Sequence, residues 1–362
     1  MLLFMTLSSL LGLLPFLLDK WLAGRYPSFL STLIFPASFT LLDYWVAAHS
    51  PAGTWGMIAY SQAQVAPLLQ LGALGGIWVL GFLIYWFGST ANYLVERRLA
   101  SRSFRNGALI YTTLLAAAFL FGVVRLQIAK KSDAPTLRVA AVTVQNTSLM
   151  EQLYFVETGE RITIPKAIDQ TDPLVQKASG ALAQFVADPQ APRFGVVYDE
   201  GHRLLDELLA LSREAVGEGA RLIAWSEGVL ITGKVREGEY INRVRTFARE
   251  HNIYLFFPLA SILKGDAATG APFMENKILT IDPQGRIVQT YFKNRPVPGE
   301  PSVPGDGRIP VLDTPIGRLG QVICYDADFP ALMDQLHEQA AHLFVAPSGD
   351  WRAISPYHSY MA

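Results

Sequence analysis

The hydrophobic pattern divides the chain into a front part with long apolar runs and a rear part in which short apolar runs alternate with polar segments. No Asp, Glu, Lys or Arg occurs between Tyr44 and Val95. A helix needs about 20 apolar residues to cross a membrane. Four runs are predicted as spans, at residues 2–18, 29–48, 66–86 and 108–124. Four such runs in succession favour a transmembrane helical domain at residues 1–131 over the buried helices of a soluble protein.

The rear part, from residue 137 to 362, predicts a layered α/β domain, because strand patterns alternate with helix patterns. Pro283-Gln284-Gly285 predicts the turn of a hairpin. The stretch at 147–193 is polar, carries several prolines and lacks clear periodicity, so it is interpreted as an inserted loop or flap. The predicted strands are 137–145, 222–225, 253–258, 277–282, 286–292, 322–324 and 342–346, and the predicted helices are 200–216, 240–250 and 331–339.

Charge orients the predicted spans. Residues 1–136 hold nine Lys and Arg against four Asp and Glu, whereas the remainder holds twenty-one against twenty-seven. Basic residues mark cytoplasmic loops, and the loops after the first and third runs carry them. Lys130 and Lys131 follow the fourth run and would lie on the extracytoplasmic side, which counts against this orientation. The α/β domain is therefore predicted to lie on the extracytoplasmic side. The orienting residues are Lys20, Arg25, Arg97, Arg98, Arg102 and Arg105.

Composition excludes several classes of function. The chain has a single cysteine, Cys324, which rules out an intramolecular disulfide framework and a multi-cysteine metal site. No His and Glu spacing is typical of a zinc site. No basic cluster interleaved with aromatic residues indicates nucleic-acid binding. We therefore expect no metal and no nucleic-acid partner.

Three chemically suggestive residues each end an apolar run that predicts a buried strand. They are Glu227, Lys293 and Cys324, and strand ends can converge at one edge of a sheet. A cysteine attacks as thiolate and needs a group that removes its proton, a role that suits Glu227. Lys293 would stabilise the oxyanion of a tetrahedral intermediate, and the backbone N–H of Tyr325 would be a second donor. The trio predicts nucleophilic acyl chemistry.

Taken by residue type alone, the trio leaves other interpretations open. A lone cysteine in an apolar strand is most often an inert core residue, and Glu or Lys at a strand end is most often a solvated charge. A Cys–His pair is the competing catalytic arrangement. Of the six histidines, His337, His342 and His358 follow the cysteine, and neither His342 nor His358 stands in a recognisable catalytic context.

Three motifs carry a resemblance to a known family. They are Trp225-Ser226-Glu227, Tyr291-Phe292-Lys293-Asn294-Arg295 and Ile323-Cys324-Tyr325-Asp326-Ala327-Asp328-Phe329-Pro330. In order and separation they resemble the glutamate, lysine and cysteine motifs of the carbon–nitrogen hydrolase (nitrilase) superfamily, which uses a Glu-Lys-Cys triad. The resemblance implies that residues 137–362 form a four-layer α-β-β-α sandwich.

Further segments are similar to one membrane branch of that superfamily, the apolipoprotein N-acyltransferases. Trp55-Gly56-Met57-Ile58-Ala59-Tyr60-Ser61-Gln62 and Leu69-Gln70-Leu71-Gly72 resemble its membrane signature, and Val142-Thr143-Val144-Gln145-Asn146 resembles the first strand of its catalytic domain. Val297-Pro298-Gly299-Glu300 resembles the segment that carries a second functional glutamate, in a loop one residue shorter. Glu300 would therefore be a supporting residue.

The resemblance implies an acyl transfer in two steps. Cys324 would take a fatty acyl group from a phospholipid ester and form a thioester, and the α-amine of a lipoprotein's diacylglyceryl-cysteine would then accept the group. Such an enzyme needs no metal or organic cofactor. It would be a multi-pass protein of the bacterial inner membrane, with its catalytic domain on the extracytoplasmic side.

Two departures from the family pattern define the alternatives. Asp326, grouped here with the supporting residues, stands where this branch usually has glutamate, and Phe329-Pro330 is closer to soluble amidases. The alternative is a membrane-anchored amidase that hydrolyses a C–N bond, and a third interpretation is an inactive binding module.

The family usually has more spans and continues beyond residue 362, so we expect a fragment truncated at both ends.

Overall fold

The structure is a computed structural model that describes residues 2–26, 28–96, 102–129, 136–145, 148–164 and 171–349, with residues 2–9 and 102–104 described by their helical backbone. Arg97, Arg98, Lys130, Lys131 and His358 lie outside the described residues. The described residues form two compact units. The first contains the residues up to 129 and Asp328–Pro330, and the second contains residues 136–327 and 331–349.

The first unit is helical. Three of its segments are long and apolar enough to cross a membrane, namely Phe29–His49, Gly72–Glu96 and Arg105–Ala129. They correspond to three of the four predicted spans. The fourth, at residues 2–18, lies in a helix whose first side chains are not described, so it stays a prediction. The helices are α1 (Leu2–Ala23), α2 (Ile34–His49), α3 (Ala66–Leu69), α4 (Gly72–Glu96) and α5 (Arg102–Ala129).

The span predicted at residues 66–86 is not one helix. Helix α3 ends at Leu69, and α4 begins at Gly72 and contains a kink. At the kink Gly76 has φ 63° and ψ −157°, a conformation that residues with a Cβ rarely adopt. The residues on both sides of the kink are mostly apolar. Hydropathy therefore finds the run but not its break.

The second unit contains two β-sheets. In the larger sheet the strand order is β1-β2-β4-β5-β6, with β3 also paired to β4. Strands β1, β2, β3 and β4 are parallel, and β5 is antiparallel to both of its neighbours. In the smaller sheet β8 pairs antiparallel with β7 and parallel with β9.

The strands of this unit are β1 (Val139–Val142), β2 (Leu222–Trp225), β3 (Ile231–Gly233), β4 (Tyr254–Ile262), β5 (Met274–Ile281), β6 (Ile287–Phe292), β7 (Leu312–Thr314), β8 (Gly317–Gln321) and β9 (Leu343–Val345). Its helices are α6 (Leu149–Thr158), α7 (Pro173–Ala187), α8 (Gly195–Gly217), α9 (Glu237–His251) and α10 (Pro330–Glu338).

The layers follow from side-chain packing. Leucines of α8 and Tyr240 of α9 share one buried core with Trp225 and Phe257 of the larger sheet. The other face of that sheet meets the smaller sheet, where Thr280 Oγ1 donates a hydrogen bond of 2.7 Å to Gln321 Oε1. Helix α10 covers the far side of the smaller sheet. The order α-β-β-α confirms the predicted fold class.

Most predicted elements of this unit are confirmed, including the strand at 222–225 and the hairpin around Pro283-Gln284-Gly285. The strand predicted at 322–324 is wrong. Strand β8 ends at Gln321, and Cys324 begins a 3₁₀ turn that runs to Asp328. Val322 and Ile323 are fully buried. Their apolar character reports burial rather than strand conformation.

The stretch at 147–193 is not the structureless loop or flap that its composition indicated. Helix α6 begins with a capping box, in which Ser148 and Glu151 exchange side chain to backbone hydrogen bonds. Helix α7 begins at Pro173 after an Asp172 N-cap. Both helices bury apolar side chains in a separate cluster that includes Leu153. Polar residues of α7 such as Gln176 and Lys177 lie on the exposed face of an amphipathic helix.

Candidate active site

Strand direction brings two of the predicted residues to one edge of the larger sheet. Because β5 is antiparallel to both neighbours, β6 runs in the same direction as β2, so both strands end at the same edge. Glu227 follows β2, which is anchored by the Trp225 indole hydrogen-bonded to Ser212 Oγ of α8 at 2.9 Å. Lys293 follows β6 directly, and its N–H donates to Asn276 O at 2.9 Å.

The Lys293 ammonium lies between two carboxylates. Its Nζ donates to Glu227 Oε1 at 2.9 Å and to Glu300 Oε2 at 2.8 Å. Lys293 is 1% exposed. A buried ammonium with two charge-assisted hydrogen bonds has a fixed position. The structure therefore brings Glu227, Lys293 and Glu300 into one cluster.

Asn276 of β5 joins the two carboxylates from the other side. Its Nδ2 donates to Glu227 Oε1 at 2.8 Å and to Glu300 Oε1 at 2.9 Å. Glu300 also accepts from Ser302 Oγ at 2.6 Å and from the N–H of Val297 at 3.0 Å. Sequence reasoning missed Asn276. The sequence signal that could have identified Asn276 is an uncharged amide side chain among the buried residues of a strand.

Electrostatics keeps Lys293 and Glu300 ionised. Burial lowers the pKa of Lys293, but the carboxylates of Glu227 and Glu300, together with Cys324 in its thiolate form, outweigh that effect and raise this pKa above its usual value. Burial raises the pKa of Glu300, and Lys293 together with hydrogen bonds from Asn276 and Ser302 lowers it below its usual value. At neutral pH the lysine is therefore an ammonium and Glu300 a carboxylate.

Cys324 is partly exposed at the start of the turn after β8 and has φ 45°. A non-glycine residue at positive φ is strained, and such strain clusters at functional sites. The Cys324 N–H donates to Pro347 O at 2.9 Å, and Ser348 Oγ donates to the sulfur at 3.3 Å. The N–H of Gly349 donates to Glu227 Oε2 at 3.1 Å. The residues after β9 thus contact both the thiol and the carboxylate.

Asp326 links the turn that contains Cys324 to strand β6 and the residues that follow it. Its carboxylate accepts from Tyr291 OH at 2.7 Å and from the N–H groups of Arg295 at 2.7 Å and Ile323 at 3.0 Å. Burial raises the pKa of Asp326, and these hydrogen bonds offset only part of the rise. Asp326 thereby holds the turn in place. The role of the Tyr325 N–H as an oxyanion donor stays a prediction.

The histidine alternative finds no support within the described residues. Nδ1 of His342 lies 3.3 Å from the N–H of Arg318, near the start of β8 and at the opposite end from Cys324. No three His, Cys, Asp or Glu side chains in the described ranges are grouped as metal ligands would be.

Two family models match the chain. Residues 186–362 match the carbon–nitrogen hydrolase family, and residues 1–90 match the apolipoprotein N-acyltransferase N-terminal domain. A protein named apolipoprotein N-acyltransferase from Borreliella burgdorferi is 22% identical over 342 residues, which cover 86% of this chain and 56% of that protein. The bifunctional nitrilase/nitrile hydratase NIT4 of Oryza sativa subsp. japonica is 24% identical over 226 residues, which cover 59% of this chain and 55% of that protein.

Among solved structures, an amidase from Nesterenkonia sp. is 21% identical, with a TM-score of 0.36 over 42% of this chain and 62% of that chain. The chain spans little more than half the length of the two curated relatives. Residues 186–362 are thus similar to the carbon–nitrogen hydrolase family, and residues 1–90 are similar to the N-terminal domain of apolipoprotein N-acyltransferases.

Proposed function

We propose that this chain belongs to a membrane-embedded N-acyltransferase that moves a fatty acyl group from a phospholipid to the N-terminal diacylglyceryl-cysteine of apolipoproteins. The observation that carries the proposal is the occurrence of both domains in one chain, since residues 1–90 match the N-terminal domain of that acyltransferase family. The cluster of Glu227, Lys293 and Glu300 supplies the charges that acyl transfer to a cysteine requires.

In the first step the thiol of Cys324 gives its proton to Glu227, and the sulfur attacks the carbonyl carbon of a phospholipid ester. The ammonium of Lys293 and the N–H of Tyr325 stabilise the oxyanion that forms. The C–O bond breaks, and the leaving alkoxide takes the proton from Glu227. The products are a thioester and a lysophospholipid.

In the second step the α-amine of the diacylglyceryl-cysteine attacks the thioester carbonyl. Glu227 takes a proton from the amine, the C–S bond breaks, and the sulfur leaves as thiolate and regains a proton from Glu227. An amide and a free thiol result. Glu300 and Asp326 hold Lys293 and the cysteine turn in position during both steps.

The membrane setting suits these substrates, since donor and acceptor both carry long acyl chains. Within the part of the chain that the structure describes, three apolar helices are long enough to span a bilayer. We propose residues 1–131 as a membrane domain and residues 137–362 as the catalytic domain, with 147–193 as an insert. The basic residues that follow the first and third runs support an extracytoplasmic position of the catalytic domain in the bacterial inner membrane.

The alternative is a membrane-anchored amidase, in which water replaces the amine in the second step. The match to a nitrilase over 59% of the chain favours it as the second candidate. Both candidates share the acyl-enzyme and differ in what resolves it.

The test follows the acyl group. The full chain, in detergent micelles that contain phosphatidylethanolamine with a labelled acyl chain, should form a hydroxylamine-sensitive adduct that Cys324→Ala does not form. Discharge of the label onto a diacylglyceryl-cysteine peptide supports the transferase. Discharge to free fatty acid alone, with turnover of small amides, supports the amidase. A folded chain that forms no adduct with either substrate class refutes both and indicates an inactive module.

A further inference from the structure

Three consecutive residues after β9, here called the 347–349 segment, each contact a member of the site. The carbonyl of Pro347 accepts the Cys324 N–H at 2.9 Å, and the hydroxyl of Ser348 donates to the Cys324 sulfur at 3.3 Å. The N–H of Gly349 donates to Glu227 Oε2 at 3.1 Å. The segment therefore links the nucleophile to the group that takes its proton.

The sheet holds this segment in place. Strand β9 is parallel to β8, and the pairing continues past the end of β8, because the N–H of Val322 donates to Val345 O at 3.0 Å. The next bond in the series is that from Cys324 to Pro347. A Cβ at Gly349 would lie 3.3 Å from Glu227 O and 3.6 Å from its Oε2. The segment therefore fits closely against both partners.

A hydroxyl that donates to sulfur distinguishes the two protonation states of the thiol. Neutral sulfur is a weak acceptor, whereas a thiolate is a full negative charge, and hydrogen bonds to charged groups are about twice as strong. A donor that binds the charged form more tightly favours ionisation. Lys293 favours the thiolate through its charge, and Ser348 does so through a directed hydrogen bond.

We propose that Ser348 is a fourth catalytic residue, whose hydroxyl stabilises the Cys324 thiolate when the sulfur attacks and again when it leaves. For its part in acyl transfer this proposal rests on the proposed function. In the first step the S–H proton passes to Glu227 and a C–S bond replaces the C–O bond of the ester. In the second step the C–S bond breaks, and the departing thiolate is again bound by the hydroxyl before Glu227 returns the proton. Ser348 keeps its own proton throughout.

The experiment measures the pH dependence of alkylation of Cys324 by iodoacetamide. Cys324 is the only cysteine in the 362-residue chain, so incorporated label reports on this sulfur alone. In Ser348→Ala the midpoint of the rate profile should rise by about one pH unit, at the lower end of what a hydrogen bond to a charged group contributes. Ser348→Gly, a second variant without the hydroxyl, should give the same rise. Ser348→Thr, which keeps the hydroxyl, should return the midpoint toward that of the native protein.

A purely structural role would lower activity or stability without moving this midpoint, which separates the two explanations. Native midpoints in both the alanine and glycine variants would overturn the proposal, and so would an equal rise in the threonine variant. Alkylation uses no lipid and no lipoprotein. Failure of the proposed acyl transfer would therefore leave a shifted midpoint intact, and the two failures are distinguishable.

Discussion

Replacement of Lys293 by methionine tests the charge arrangement of the site most severely. Methionine keeps most of the length of the side chain and removes the ammonium. Glu227 and Glu300 then face each other across the vacated position, with the amide of Asn276 as the donor they share. The variant leaves two partly buried carboxylates without the ammonium that lies between them.

The expected magnitudes follow from burial and contact. Removal of one partner from a buried ion pair costs about 3–5 kcal/mol, because the other charge stays buried without compensation. The loss of one oxyanion donor slows the chemical step by about 10²–10³. Lys293→Met should therefore lower both the unfolding temperature and the rate of acyl-enzyme formation, with little change in the concentration of phospholipid needed for half saturation.

The stability loss should depend on pH. In the native protein Lys293 holds the pKa of Glu300 below its usual value, so this stabilisation is present above the usual carboxyl pKa and is lost as pH falls through the lowered value. In the variant, repulsion raises the pKa of the carboxylate pair, so destabilisation is greatest above the raised value. Protonation relieves it as pH falls. The difference in unfolding temperature between the native protein and Lys293→Met should decrease as the pH is lowered from about 7 to about 4.

The chain offers a matched control in Lys277, which is also buried and lies between Glu237 and Glu275, at 2.6 Å from each. Alternation along β5 directs Lys277 to the face opposite Asn276. In Lys277→Met the ammonium of Lys234 still pairs with Glu237 at 2.7 Å and with Glu275 at 2.8 Å, so this variant should lose less stability than Lys293→Met. It should keep the acyl-enzyme rate within about tenfold of native at a temperature where it is folded. Rates and unfolding temperatures are measured on the same detergent-solubilised samples, by quench-flow and by tryptophan fluorescence. Equal rate losses in the two variants, or a native rate in Lys293→Met, would refute the role given to Lys293.

Four further substitutions test the other members of the site. Glu227→Gln should abolish acyl-enzyme formation while Glu300→Gln, which keeps hydrogen-bonding groups at the same place, only slows it, and the reverse ranking in the labelled-phospholipid assay would exchange their roles. Asp326→Asn replaces an acceptor by an amide opposite three donors, so it should lower stability by about 1–3 kcal/mol, and an unchanged unfolding temperature would contradict the linking role. Gly349→Ala would place a Cβ 3.3 Å from the backbone oxygen of Glu227, so one of the two segments must shift by a few tenths of an ångström. The shift should slow acylation by up to about 10²-fold with unchanged lipid affinity, whereas a native rate would show that the contact is not required.

The sequence predicts the positions that end strands. Glu227 and Lys293 each follow an apolar run directly, and parallel strand direction then places both at one edge. The hairpin at Pro283-Gln284-Gly285 was predictable from its turn chemistry. The 2.9 Å ion pair between Lys293 Nζ and Glu227 Oε1 corresponds to the prediction that these two residues meet at one edge of the sheet.

The remaining contacts depend on tertiary structure that no local pattern encodes. Asn276 lies in the interior of a strand, where only the approach of two distant loops makes its amide a shared donor. Ser348 follows a short strand, and its contact with the sulfur depends on pairing between β8 and β9. Cys324 sits in a turn at positive φ, although its apolar neighbours predicted a strand. The helices of 147–193 were hidden by their polar faces, and the capping box that begins at Ser148 was the overlooked signal.

The most direct test of the account is the mass of the native and Cys324→Ala chains after incubation with phosphatidylethanolamine, followed by addition of a diacylglyceryl-cysteine peptide. The account predicts that one acyl group is added to the native chain, that it is lost when the peptide is added, and that the same group is recovered as an amide on the peptide. Acylation of the Cys324→Ala chain, or an adduct on the native chain that the peptide does not remove, would contradict it.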